Sequence, residues 1–116
     1  MADYMELQRL QKGLIDKNTE LAKAVGELNP LAEKSAEAER NYLSAMETTI
    51  LKLENEGKKT TIMKDLAKGK TADYLFKFRV ASAAYKTGNA NVKRLHSNID
   101  TYRSLISTAK AEIKIL

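Results

Sequence analysis

The sequence predicts an all-α protein built as a long antiparallel helical hairpin, coiled-coil-like, with a short helix at its tip. Three observations carry this. Apolar positions recur alternately three and four residues apart in both halves of the chain, no segment alternates with the period of two that a strand requires, and one glycine- and lysine-containing segment separates the halves.

The second arm, about residues 72–116, is the clearest. Phe78, Ala81, Tyr85, Gly88, Val92, Leu95, Ile99, Tyr102, Ile106, Ala109, Ile113 and Leu116 form an uninterrupted heptad seam. A 3.5-residue period supercoils left-handed against a partner helix. Gly88 costs about 1 kcal/mol in a helix interior. With Asn89 beside it, it marks a soft spot or a close approach of the other arm.

The first arm, about residues 3–56, repeats Leu7, Leu14, Leu21 and Leu28, joined by Leu10, Ala24, Val25 and Leu31. The phase continues through Ser35, Tyr42 and Thr49, with Ala38, Met46 and Leu53 alongside. The single proline falls at Asn29-Pro30. Asn is a good N-cap, Pro suits a first helical position, and Gly26 loosens the turn before them. The arm is therefore one kinked helix or two helices meeting at Asn29. Because the heptad phase runs through the proline, a kink or a very tight break is expected.

In the tip, residues 57–71, Gly57 stops the first arm. Thr60 or Thr61 caps a short helix carrying Ile62, Met63 and Leu66, and Gly69 ends it. Thr71 caps the last helix, with Asp73 in its positive first turn. At 1.5 Å per residue the arms are about 81 and 68 Å long, and neither can bury its stripe alone. Antiparallel pairing about a centre near Lys64 sets Leu116 beside Lys12 and leaves the first dozen residues overhanging.

Composition narrows the chemistry. The 116 residues are 43% apolar and 30% charged, with no Trp and two Phe, which suits one elongated helical domain. Without Cys there is no disulfide framework, zinc knuckle or thiol nucleophile, and the single His96 cannot build a metal site. No run approaches the roughly 20 apolar residues of a membrane span. The opening Met1-Ala2-Asp3-Tyr4-Met5-Glu6 is acidic where a signal peptide is basic. A cytoplasmic protein without a membrane partner is expected.

The net charge of +5 is unevenly spread. Residues 1–55 carry seven basic and ten acidic side chains, residues 56–79 seven and three, and residues 80–116 six and two. An acidic first half facing a basic second half fits two complementary arms, and it equally fits solvated helix faces of unequal charge.

Catalytic motifs are incomplete. Lys68-Gly69-Lys70-Thr71 ends like a phosphate-binding loop, but Lys64 stands where that loop needs its first glycine, and no strand precedes it. His96 has no readable acid–base or nucleophilic partner. Glu33, Glu37 and Glu39 lack the paired Glu-x-x-His motifs of a di-metal bundle. No enzyme activity and no cofactor are expected.

The basic tip is the candidate binding site. Lys58, Lys59, Lys64, Lys68, Lys70, Lys77 and Arg79 are interleaved with Tyr74, Phe76 and Phe78. Lysines with aromatics suit phosphate contacts and base stacking. Alternatively Tyr74, Leu75, Phe76, Phe78 and Val80 pack on Ile62, Met63 and Leu66 in a small buried subdomain, leaving the lysines for nucleic acid or an acidic protein surface.

The segment Leu66-Ala67-Lys68-Gly69-Lys70-Thr71-Ala72-Asp73, with the heptads running to Leu105, resembles small helical-hairpin accessory proteins of bacteriophage and prophage gene clusters. The resemblance covers about half the chain. It implies a protein that works by binding, inside a bacterial host cell, and it assigns no catalytic residue. The expected function is a self-associating, homo-oligomeric hairpin that binds and modulates another protein. The alternative is a nucleic-acid-binding accessory protein using the basic tip and the basic C-terminal arm.

Overall fold

The computed structural model describes residues 2–115. Among them the chain forms α1 (Tyr4–Asn55), α2 (Thr60–Lys70) and α3 (Ala72–Ile115), with no strand, and the fold is the all-α helical hairpin. Two compact units share the long helices. The first takes the chain up to Leu28 together with the chain from Gly88 on, and the second takes Asn29–Thr87.

In the first unit the expected seam is the buried line of α3. Val92, Leu95, Ile99, Ile106 and Ala109 are buried, while Gly88, Tyr102 and Ile113 are half-buried. Leu116 lies outside the described residues. From α1 this unit takes Leu7, Leu10, Leu14, Leu21, Ala24 and Leu28, all half-buried. Val25 is 47% exposed, because a helix turns 100° per residue and Ala24 already holds the inward position. Each enclosed Leu or Ile contributes about 1.5–3 kcal/mol relative to leaving it in water. Lys17 also falls on the stripe; its stem is half-covered and its Nζ lies 3.3 Å from the Glu20 carboxylate.

Two contacts fix the register. A Cβ placed on Gly13 would lie 2.5 Å from Cε1 of Tyr102, so any other residue there makes the ring shift from its place against α1. The backbone N–H of Ala2 donates to Oε2 of Glu112 at 2.6 Å. Both pairs are antiparallel, and together they leave no overhang of the first dozen residues. The expected centre near Lys64 sits too far along the chain.

The reason lies in the second unit. Gly57, at φ +75°, is the residue that turns the chain. Lys58 N–H reaches Leu53 O and Gly57 N–H reaches Glu54 O, both at 3.0 Å, the paired bonds of a Schellman end. α2 then begins after Lys59, which holds the N-cap position in extended conformation without a side-chain cap bond. Thr60 and Thr61 therefore do not cap it. Gly69 does not end it either, because α2 runs on to Lys70. Thr71 is its C-cap: the backbone N–H and Oγ1 both donate to Ala67 O, at 3.0 and 2.7 Å. The side chain expected to cap α3 thus closes α2, and it is itself buried.

Oγ1 of Thr71 also lies 3.5 Å from Sδ of Met46. The α2–α3 junction thus abuts α1 at Met46, and between that contact and the turn Leu53 of α1 and Ala67 of α2 are both buried. α2 is the first part of the returning arm, which moves the pairing centre back toward Gly57. One helix further on, the rings of Tyr42 and Phe78 stack at 6.4 Å between centroids.

α1 is not broken at Asn29-Pro30; the proline lies inside the helix. It removes the bond that Gly26 O would accept, a change that costs about 3 kcal/mol in a helix interior. Uninterrupted seam burial along the arm, with Leu28 before and Leu31 after it half-buried, offsets that cost. The boundary between the two compact units falls at this same point on α1.

Candidate interaction surface

The seven basic candidates all belong to the second unit, and all are exposed. Lys64 and Lys68 stand one turn apart on α2, which places them on one face. Lys68 and Lys70 occupy the last turn of that helix, where positive charge complements its dipole. Lys77 Nζ lies 6.0 Å from the centroid of the Tyr74 ring, within cation–π reach. Among the described residues none of the seven forms an ion pair; the salt bridges there are Lys17–Glu20 and Asp100–Arg103.

The aromatics and the apolar residues beside them separate into two groups. Phe78 and Leu75 are half-buried, and Phe78 has Tyr42 as its partner. Tyr74, Phe76 and Val80 are 45, 68 and 52% exposed, and Ile62 and Leu66, expected beneath them, are themselves 45 and 38% exposed. The small buried subdomain does not form. Thr71, Leu75, Phe78 and Ala81 hold the inward positions of the returning arm, so residues 74, 76 and 80 point elsewhere. A helix packed against one neighbour has only one stripe covered.

These off-seam side chains shape two grooves. The first, about 340 Å³, is lined by Leu31 and Lys34 of α1 and by Phe76, Lys77, Val80, Ala81 and Ala84 of α3. Its interior is apolar, and its only charged lining residues are the two lysines. The second, about 560 Å³, is polar and lies along Asn41, Ser44, Ala45, Thr48 and Thr49 with Tyr74 at its edge. The apolar groove escaped the sequence reading. Its signal was present: Phe76 and Val80 sit one helical turn apart and out of phase with the seam, with the small Ala84 one turn further on.

Neither groove contains a catalytic constellation. Neither is lined by a carboxylate or His96, which is exposed on α3, and no group of three His, Asp or Glu side chains that could hold a metal ion occurs among the described residues. The segment Lys68-Gly69-Lys70 is helical, so its backbone N–H groups are not presented as a phosphate cradle. No helix among the described residues is long and apolar enough to cross a membrane. Comparison with the profiles of protein families, with curated proteins and with solved structures gives no match to this chain.

Proposed function

We propose that this chain is a non-enzymatic interaction protein that docks on another protein and modulates it, in the manner the resemblance to phage accessory hairpins implies. One observation supports this above the rest: Phe76 and Val80 stay exposed beside an apolar groove, in a molecule whose own seam does not use them. Aromatic side chains beside apolar grooves are the usual anchors of protein interfaces. Affinity purification from the native host tests the reading, with the wild-type chain and a Phe76→Ser/Val80→Ser variant as baits. A protein retained by the first and lost by the second is expected. Equal recovery on both baits would contradict it.

The hairpin also self-associates in this reading. Met5, Ile15, Leu43, Leu51, Leu105 and Ile115 remain exposed outside the seam, and pairing two hairpins would cover such residues. Sedimentation equilibrium at micromolar concentration should give a dimer or larger, and a 13.0 kDa monomer would refute this part.

A second reading, nucleic-acid binding through the basic tip, is favoured by the exposure of Tyr74 and Phe76 among unpaired lysines. Binding of single- or double-stranded DNA that weakens steeply over a salt series would support it, because each phosphate contact releases counterions.

A further inference from the structure

Resting on the protein-binding reading, we propose that the apolar groove of the second unit takes an acidic amphipathic helix of about two turns. The helix seats one large apolar side chain between Phe76 and Val80 and sets carboxylates against Lys34 and Lys77. Size, lining and charge lead to this occupant.

Phe76 to Ala84 spans about 12 Å of α3 at 1.5 Å per residue, which matches two turns of a partner helix. The groove, about 340 Å³, is near the low end of binding pockets, which run from about 300 to 1,000 Å³. It therefore accepts side chains rather than the body of a helix. Ala81 and Ala84 keep its wall shallow enough for such an approach, and Phe76 and Val80 supply apolar contact.

Charge selects the partner. Lys34 and Lys77 flank the groove, and neither is in an ion pair among the described residues. Residues 58–86 hold eight basic side chains and two acidic ones. Glu33 and Glu37 are exposed on the neighbouring turns of α1 but do not line the groove. A basic partner would bring like charges together, whereas a partner with carboxylates beside its anchor gains both attraction and orientation. Nucleic acid suits the groove less well, because Leu31, Val80, Ala81 and Ala84 present no side-chain donors to phosphates or base edges.

The test uses the full chain, isotopically labelled, titrated with a synthetic peptide of about four helical turns. The peptide carries leucine at three- and four-residue spacing and glutamate at most other positions. Three probes serve as controls: the same peptide with lysine for glutamate, a scrambled peptide of the acidic composition, and a single-stranded oligonucleotide. Amide shifts centred on Leu31, Val80 and Ala84 are expected with the acidic peptide, with affinity about tenfold or more above either control peptide. Lys34→Glu/Lys77→Glu should lower that affinity about tenfold and raise that of the lysine peptide.

Equal binding of the acidic and scrambled peptides, shifts confined to α2, no binding at millimolar peptide, or tighter binding of the oligonucleotide in the groove would each overturn the proposal. The host purification separates the two readings. A partner lost with Phe76→Ser/Val80→Ser but kept by Lys34→Glu/Lys77→Glu would overturn the acidic chemistry alone. Equal recovery on the wild-type and Phe76→Ser/Val80→Ser baits would overturn protein binding through this face.

Discussion

The two units spend their apolar residues differently. In the first, the branched and long side chains of α3 face inward: Val92, Leu95, Ile99 and Ile106 are buried. In the second, the buried positions go to Leu53, Ala67 and Thr71, while Leu43, Leu51, Ile62, Leu66, Tyr74, Phe76 and Val80 are exposed. The first unit exposes apolar residues too, among them Met5, Ile15 and Leu105. The groove beside Leu105, about 290 Å³, is lined by the carboxylates Glu6 and Glu112, whereas the one that Phe76 and Val80 border has no acidic lining residue. One hairpin thus combines a length of seam that stabilises with a length whose larger side chains are left for something else. Substitutions can break or sharpen this contrast.

The largest effect is expected at Ile99, which is 2% exposed at the middle of the first unit's seam. Ile99→Asp buries a carboxylate without a partner, at a cost of several kcal/mol. That is a large share of a small domain's stability, and the thermal unfolding midpoint should collapse. An unchanged midpoint would mean that this seam does not hold the molecule together.

Next comes Gly13→Ala. The added Cβ meets the Tyr102 ring, and overpacking of this kind costs about 1–3 kcal/mol, against a helix-propensity gain of about 1 kcal/mol. A net loss of about 1 kcal/mol is expected in denaturant unfolding, and it should vanish in a Tyr102→Ala background. Persistence of the loss there would show that the ring is not its cause. Gly57→Ala belongs to the second unit and acts through the backbone. Its φ of +75° is strained for any residue with a Cβ, and a loss of about 1 kcal/mol is expected by the same measurement.

The sequence made the hairpin and the seam legible because both rest on periodicity. Every described seam position from Phe78 to Ile113 is buried or half-buried. The turn at Gly57 was legible because few residues besides glycine accept a positive φ. Cap assignments misled where a local preference met a tertiary demand. Thr60 and Thr61 have the chemistry of N-caps, yet α2 starts directly after Lys59; Thr71 has the chemistry of an N-cap for α3, yet its hydroxyl donates back to Ala67 O of α2. At Pro30 local propensity leaves one kinked helix or two helices open, and seam burial along the whole arm decides for one helix. The candidate lysines were readable as exposed charge. The apolar groove, which only Lys77 of those candidates lines, needs the register, since only the pairing of α1 with α3 brings Leu31 and Lys34 to Val80 and Ala84.

The smallest effect on stability tests the central claim, that the off-seam apolar face of the second unit is spare with respect to folding. Phe76 and Val80 are both more than half exposed, and surface substitutions usually stay within about 0.5 kcal/mol. The thermal midpoint of the Phe76→Ser/Val80→Ser variant should therefore lie within about 4 °C of the wild type. A fall comparable to that of Ile99→Asp would contradict the account, because those side chains would then be part of what holds the hairpin closed.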